Sequence, residues 1–130
     1  MSRNHGPWTV EKTTLKYEND FIRLCEDQVI QPDGNPGAYA MVEMTPGIGI
    51  LPIDEEGNVY LIQQFRYALG KESIEAVCGG IDNGEPPLQA AQRELKEEMG
   101  IEAADWIDLG VCDPDTSIVQ GAVYLFAARG

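Results

Sequence analysis

The sequence predicts an α+β fold, in which many strands surround one central helix. Segments rich in β-branched and aromatic residues recur along the chain, whereas helical periodicity is strong in one segment, after Glu85-Pro86-Pro87. With 130 residues, the chain is long enough for one domain with a hydrophobic core. Its 43% hydrophobic and 24% charged residues are typical of a soluble globular protein.

The first strands form an N-terminal antiparallel β segment. Residues 8–17 and 21–30 carry the β-branched and aromatic residues typical of strands. Residues 31–37 are dense in Pro, Gly, Asp and Asn and predict a turn. A strand at 38–43 completes the unit, and we place the boundary of this segment at residues 1–46.

The next strands are predicted around a hairpin. Residues 48–53 are apolar and predict a buried strand, and 59–65 predict its hairpin partner. The Asp- and Gly-containing segment 54–58 is the turn between them. Residues 66–71 are predicted as a loop carrying Arg66, and Cys78-Gly79-Gly80 as a tight loop. The remaining strands are predicted at 72–77, 106–111 and 122–128.

The single helix is predicted to begin at Glu85-Pro86-Pro87, because proline is tolerated in the first turn and an acidic residue suits the positive end of the helix dipole. Gly100 is predicted as its C-terminal cap. Four apolar residues at helical spacing are predicted to form its buried stripe: Leu88, Ala91, Leu95 and Met99.

Three carboxylates share one face of this helix. Glu94, Glu97 and Glu98 stand at i, i+3 and i+4. Like charges at that spacing destabilise a helix by roughly 0.2–0.5 kcal/mol per pair, and a divalent cation would reverse the sign. For one glutamate alone, a solvated acidic surface is the favoured interpretation. For the whole constellation with its glycines and Arg93, we predict a metal site.

Composition excludes several partners. The formal net charge of −13 opposes binding to nucleic acid and to anionic membranes. We expect no signal peptide, because the start lacks an apolar stretch, and no membrane span, because no run approaches about 18 apolar residues. The widely spaced Cys25, Cys78 and Cys112 suggest reduced thiols and a cytoplasmic protein. Cys78 is expected to be a small buried residue.

The segment from Gly79 to Ile101 resembles the signature of the Nudix hydrolases, G-x5-E-x7-R-E-U-x-E-E-x-G-U, with U a bulky apolar residue. Every defined position matches: Gly79, Glu85, Arg93, Glu94, Leu95, Glu97, Glu98, Gly100 and Ile101. The resemblance implies a Nudix fold, with a mixed β-sheet packed against helices in an α/β/α sandwich. It makes residues 47–130 the catalytic domain.

The resemblance also implies the chemistry: water attacks phosphorus and cleaves a diphosphate, with Mg²⁺, or Mn²⁺ as a substitute, as cofactor. Glu94 and Glu98 would be the principal metal ligands, Glu97 a shared one, and the backbone carbonyl of Cys78 a further one. These glutamates and Arg93 are the candidate catalytic residues.

Glycine belongs in such a site because it lets the backbone approach closely, and Gly79 and Gly80 are expected to lie next to substrate. Arg93 and Glu85 would form a pair that braces the loop against the helix, and Glu85 and Gly100 would be structural supports.

A second resemblance, to the ADP-ribose pyrophosphatase branch, involves Gln63–Tyr67 and Ile74–Gly80. That branch favours Q-(F/Y)-R and E-x-P-A-G, and here Val77 and Cys78 stand where proline and alanine are usual. It implies that Arg66 contacts the diphosphate or a terminal sugar phosphate, and that Glu75 contacts substrate or orders its loop.

The branch also implies a homodimer, built by the N-terminal strands. Trp8 would then stack on a base or, the favoured alternative, pack within its own strand. Pro114 lies slightly earlier than the proline typical of the branch, so a nucleoside-diphosphate sugar other than ADP-ribose stays open. The chain stops at Gly130, directly after a strand, so we expect a catalytic domain shortened at its C-terminus.

The leading hypothesis is a Mg²⁺-dependent pyrophosphohydrolase that splits ADP-ribose or another nucleoside-diphosphate sugar into nucleoside monophosphate and sugar phosphate. One alternative is a catalytically weak nucleotide-binding or regulatory module. Another is a Nudix enzyme for nucleoside triphosphates or dinucleoside polyphosphates. The long N-terminal segment argues against that last alternative.

Overall fold

A computed structural model describes residues 2–130 of the chain. The helix is α1 (Pro87–Met99). The strands are β1 (Arg3–His5), β2 (Trp8–Glu18), β3 (Ile22–Ile30), β4 (Pro36–Met44), β5 (Gly47–Ile53), β6 (Ile62–Arg66), β7 (Lys71–Glu75), β8 (Val77–Gly80), β9 (Asp105–Cys112), β10 (Val119–Gln120) and β11 (Val123–Arg129).

The first of two compact units comprises the residues up to Thr45 together with Asp113–Gly121. Its sheet has the order β1-β2-β3-β4-β10, and β1 to β4 are antiparallel. The predicted three strands are present as β2, β3 and β4, and β1 is an additional strand. Residues 113–121, which we assigned to the catalytic domain, join this unit because β10 pairs in parallel with β4.

The second unit comprises Pro46–Cys112 and Ala122–Gly130. Its four-stranded sheet has the order β8-β5-β11-β9, with β5 and β11 parallel and the outer strands antiparallel to their neighbours. Helix α1 packs on strands β5, β8 and β11. The core between them is formed by Ile48, Ile50, Val77, Ala90, Ala91, Leu95, Phe126 and Ala128. The predicted α+β class is therefore confirmed, and α1 is the helix within residues 2–130.

Helix α1 follows the sequence pattern except at its start. It ends at Met99, and Gly100 adopts the left-handed conformation (φ 66°) while its N–H donates to the Lys96 carbonyl at 2.9 Å. Leu95 is fully buried. Leu88 is 41% exposed, so its prediction as a core residue is wrong. It lies in the first turn and lines a surface groove, while Ala90 is buried instead.

Two local predictions in the second unit are also wrong. Residues 48–53 and 59–65 do not form a hairpin ladder: Ile53 bridges Val59, but the chain then leaves the sheet. Strand β6 begins only at Ile62 and pairs with β7 in a separate two-stranded sheet. Gly79 and Gly80 lie in β8 rather than in a loop, paired with Ile48 and Gly47. Two consecutive glycines predict a loop, because glycine is uncommon in strands. Here the pairing with β5, which is distant in sequence, overrides that preference. No helix within residues 2–130 has the length and apolar character needed to cross a membrane.

Candidate active site

Glu94 lies directly against the backbone of Gly79. A Cβ atom at Gly79 would be 2.3 Å from Glu94 Cδ and 2.6 Å from Glu94 Cγ, distances that real atoms do not share. The Glu94 side chain is only 13% exposed, so it is enclosed between α1 and β8. At Gly80 a Cβ would meet nothing within 4 Å. A side chain at position 79 would therefore displace Glu94 from its place on the strand, whereas one at position 80 would displace nothing.

Arg93 connects the start of the helix to its carboxylate face. Its Nε donates to Glu85 Oε2 at 3.0 Å and its Nη2 donates to Glu85 Oε1 at 3.0 Å, a bidentate pair. Nη2 also donates to the Gly80 carbonyl at 3.1 Å. These bonds lower the pKa of Glu85 and raise that of Arg93, and the Arg93–Glu85 hydrogen bonds are the largest cause of both shifts. The strand, the following turn and the helix are thereby tied together.

The same guanidinium also binds two of the three carboxylates on the face of α1. Arg93 Nη1 donates to Glu94 Oε1 at 3.0 Å and to Glu97 Oε2 at 3.3 Å. Glu94 is enclosed, but the Glu97 side chain is 58% exposed. A bond to an exposed carboxylate is readily exchanged, because water and ions compete for it. Glu97 is therefore free to turn toward another cation.

The carboxylates are the right donors for a hard divalent cation, which prefers oxygen ligands. Within residues 2–130, however, no three His, Cys, Asp or Glu side chains converge closely enough to hold a metal ion. Glu94 and Glu97 face Arg93 instead. The donor chemistry fits Mg²⁺ or Mn²⁺, and the side chains would have to reorient to bind one together.

Arg66 and Glu75 form a second ion pair, on the two-stranded sheet. Arg66 Nε donates to Glu75 Oε2 at 2.9 Å and to Oε1 at 3.1 Å, and Arg66 Nη2 also donates to Oε1. This pairing lowers the pKa of Glu75 to about 2, with the hydrogen bonds from Arg66 as the first cause. Sequence reasoning selected both residues, with Arg66 expected to contact substrate and Glu75 expected to contact substrate or to order its loop. It missed that they bind each other.

Cys78 is exposed, so its prediction as a small buried residue is wrong. It follows the buried Val77 in β8, where successive side chains point to opposite faces of the sheet. Its thiol donates to the Ala76 carbonyl at 3.3 Å. Its main chain pairs with Gly49, which places the Cys78 peptide in the strand that passes beneath Glu94.

Sequence reasoning missed Asp82, whose Oδ2 lies 3.6 Å from Arg93 Nη2. The turn sequence between Gly80 and Glu85 offered no signal for this contact. In the first unit, Trp8 packs edge-on against Tyr39 at 5.7 Å between ring centroids. Both rings line a cavity of about 680 Å³ in that unit. Trp8 therefore packs within its own sheet, as the favoured alternative stated.

Two family models match the chain. Residues 43–127 match the NUDIX domain, and residues 8–42 match the nucleoside diphosphate sugar hydrolase N-terminal domain. An ADP-ribose pyrophosphatase of Mycobacterium tuberculosis is 32% identical over 127 residues, which cover 97% of this chain and 61% of that protein. A methanol dehydrogenase activator of Bacillus methanolicus is 28% identical over 126 residues, which cover 92% of this chain and 67% of that protein.

Among solved structures, one described as the crystal structure of an ADP compounds hydrolase superposes with a TM-score of 0.83. It is 23% identical, and the match covers 98% of this chain and 70% of that chain. At this identity the similarity shows the fold, which is the Nudix fold expected from the signature. The chain spans 61% of the length of the Mycobacterium protein. Because the NUDIX model covers well over half of the residues, the chain belongs to the Nudix family.

Proposed function

We propose that the chain is a divalent-cation-dependent Nudix pyrophosphohydrolase that cleaves the diphosphate of ADP-ribose or another nucleoside-diphosphate sugar. The products are a nucleoside monophosphate and a sugar phosphate. One observation carries the proposal: the complete signature lies where β8 meets α1, with Glu94 seated on Gly79 and Arg93 fixed by Glu85. A solvated acidic helix face has no need of that arrangement.

The substrate class is supported by the nature of the relatives. The N-terminal match is to a nucleoside diphosphate sugar hydrolase domain, and the Mycobacterium relative is named an ADP-ribose pyrophosphatase. These names describe those proteins. For this chain they favour a nucleoside-diphosphate sugar over a nucleoside triphosphate, which is also the preference drawn from the long N-terminal segment.

In this proposal Glu94, Glu97, Glu98 and the Cys78 carbonyl hold Mg²⁺, or Mn²⁺ in its place. The bound cation would neutralise phosphate charge and lower the pKa of the attacking water. Reorientation of the exposed Glu97 away from Arg93 would add a carboxylate to that set.

The chain's own groups do the rest. Arg66 donates hydrogen bonds to the diphosphate, while Gly79 and Gly80 let it approach the backbone. The water oxygen bonds to phosphorus as the bridging P–O bond breaks, and the other phosphate leaves with the bridging oxygen. The water proton passes to a glutamate of the signature, Glu98 or Glu94. Arg93 contributes by keeping the carboxylate face oriented.

The test is a substrate panel. ADP-ribose, GDP-sugars and UDP-sugars are incubated with the protein, with and without Mg²⁺, and monophosphate release is measured. We expect cation-dependent release from at least one substrate and loss of release in Glu98→Gln. Equal release by wild type and Glu98→Gln on every substrate would reject the proposal.

A second candidate is a nucleotide-binding or regulatory module without turnover. It is favoured by the lack of a converged three-ligand cluster within residues 2–130 and by the similarity to a protein named as an activator. Calorimetry separates the two candidates. Heat of ADP-ribose binding without any product in the recovered sample would support the module.

We also propose that the protein is a cytoplasmic homodimer. The cytoplasmic location is supported by the three free cysteines, two of which are exposed. The dimer is supported by the exposed apolar side chains of the first unit, Leu15, Tyr17 and Phe21, which are 48%, 54% and 73% exposed. Light scattering coupled to size-exclusion chromatography measures the oligomeric state. A dimer that becomes monomeric in Phe21→Ser would support the assignment of this surface, and a wild-type monomer would reject it.

A further inference from the structure

The side chain of Arg66 runs back along the two-stranded sheet. In the β6–β7 ladder Arg66 is paired with Lys71, and Glu75 is paired with Ile62, at the other end of the ladder. Residues two apart share a face of a strand, so Arg66 and Glu75 lie on the same side of this sheet but at opposite ends of the ladder. The hydrogen bonds at 2.9 and 3.1 Å therefore require the Arg66 side chain to fold back along the strands, away from the turn.

Folding back brings the guanidinium toward the signature. Glu75 ends β7, and the chain reaches the first residue of β8 after one residue, Ala76. The hydrogen bonds to Glu75 are the first cause of the raised pKa of Arg66. Arg66 is thus held at the end of its sheet from which the chain enters β8.

The pairing leaves one end of the guanidinium available. Arg66 uses Nε and Nη2 for Glu75, and in the part of the chain that the structure describes Nη1 has no hydrogen-bond partner. The Arg66 side chain is 41% exposed, so solvent or a ligand can reach it. Both oxygens of Glu75, in contrast, accept from Arg66, and its side chain is 22% exposed.

We propose that Glu75 is a positioning residue that acts through Arg66: it holds the guanidinium at the end of the two-stranded sheet from which the chain enters β8, with Nη1 free to bind a phosphate oxygen of the substrate. This inference rests on the proposed function, because an anionic substrate is what Arg66 would bind. Of the two roles expected for Glu75, it favours ordering of the protein over contact with substrate, since both oxygens of Glu75 already accept from Arg66.

A double-mutant cycle tests the proposal. Wild type, Glu75→Gln, Arg66→Ala and the double variant are compared by kcat and KM on the active nucleoside-diphosphate sugar. Glu72→Gln is the matched control, because Glu72 is an exposed glutamate of the same strand on the opposite face and faces Phe65. We expect Glu75→Gln to lower kcat/KM about tenfold, mainly through KM, and Arg66→Ala to lower it by about one hundredfold. The double variant should match Arg66→Ala, because Glu75 has nothing to position once Arg66 is gone.

Calorimetry with inorganic pyrophosphate and Mg²⁺ gives a second measurement that needs no turnover. The same cycle should appear in its affinity, with Glu72→Gln equal to wild type. A further loss on adding Glu75→Gln to Arg66→Ala, in either measurement, overturns the inference, because Glu75 would then act directly. Equal pyrophosphate affinity of wild type and Glu75→Gln overturns it as well. A wild type that hydrolyses no substrate but shows the coupled loss of pyrophosphate affinity would reject the hydrolase and retain the positioning role.

Discussion

The contact between Gly79 and Glu94 allows a sharp test by Gly79→Ala. The added methyl would lie 2.3–2.6 Å from three atoms of Glu94, so that side chain must move although it is only 13% exposed. Overpacking of this kind costs about 1–3 kcal/mol. Replacing glycine by alanine also stabilises the folded state by about 0.4–1 kcal/mol, because it lowers the conformational entropy of the unfolded chain. We therefore expect a net loss of up to about 2.6 kcal/mol, or up to about 10 °C in Tm for a chain of this size.

Gly80→Ala is the matched control for stability. It introduces the same methyl in the same strand, where nothing lies within 4 Å, so only the unfolded-state contribution remains. The difference in unfolding free energy between the two variants, measured by urea denaturation, isolates the contact with Glu94. Displacing Glu94 should also weaken Mg²⁺ binding about 10–100-fold, as measured by calorimetry. If the two variants unfold alike and bind Mg²⁺ alike, Gly79 does not seat Glu94 and the reasoning fails.

Three further expectations concern the core, the ion pair and the cation. Leu95→Ala should destabilise by about 2–5 kcal/mol in urea denaturation, since Leu95 is fully buried, whereas Leu88→Ala should cost under about 1 kcal/mol because Leu88 is 41% exposed; equal losses would contradict the packing described. The pKa of Glu75 is lowered from 4.5 to about 2, so its ion pair stabilises the folded state above pH 4.5 and is lost as pH falls toward 2. The Tm difference between wild type and Glu75→Gln should therefore shrink over that range in thermal scans, and a constant difference would count against the pair. Saturating Mg²⁺, at about 100 times its Kd, should stabilise wild type by about 2.7 kcal/mol, and far less in Glu98→Gln; no change in wild-type Tm would argue against a cation site.

Most of the fold could be predicted because its signals are local. Strand segments show the residue types of a pleated sheet, and the apolar spacing from Ala91 to Met99 marks the buried side of α1. The predictions fail where contacts with residues distant in sequence determine the local structure. Leu88 has the right spacing, but it lies in the first turn of the helix, where it lines a surface groove and does not reach the core. The strand order is hidden from the sequence for the same reason: β10 pairs with β4, and no local pattern indicates that pairing.

The candidate site likewise combines features with a local sequence signal and features that depend on long-range contacts. Fixed spacing along one helix identified the three glutamates and Arg93, because a helix converts spacing directly into a shared face. The contact of Arg66 with Glu75 could not be read in that way. It depends on the register of β6 against β7 and on the direction in which a long flexible side chain folds. Neither property is encoded within a few residues of either partner.

The spacing of Glu94, Glu97 and Glu98 alone points to a cation that offsets the repulsion between like charges. The structure shows that Arg93 already supplies part of that compensation, because it donates hydrogen bonds to Glu94 and Glu97. These hydrogen bonds offset part of the repulsion on this helix face without a metal ion. Arg93 also pairs with Glu85 and Asp82, and Arg66 pairs with Glu75. Together with Glu94, Glu97 and Glu98 this makes six carboxylates for two arginines, so the region keeps an excess of negative charge. An excess that is tolerated by the folded chain, and that includes the exposed Glu97, attracts a divalent cation without depending on it, as reversible binding of a cation together with its substrate requires.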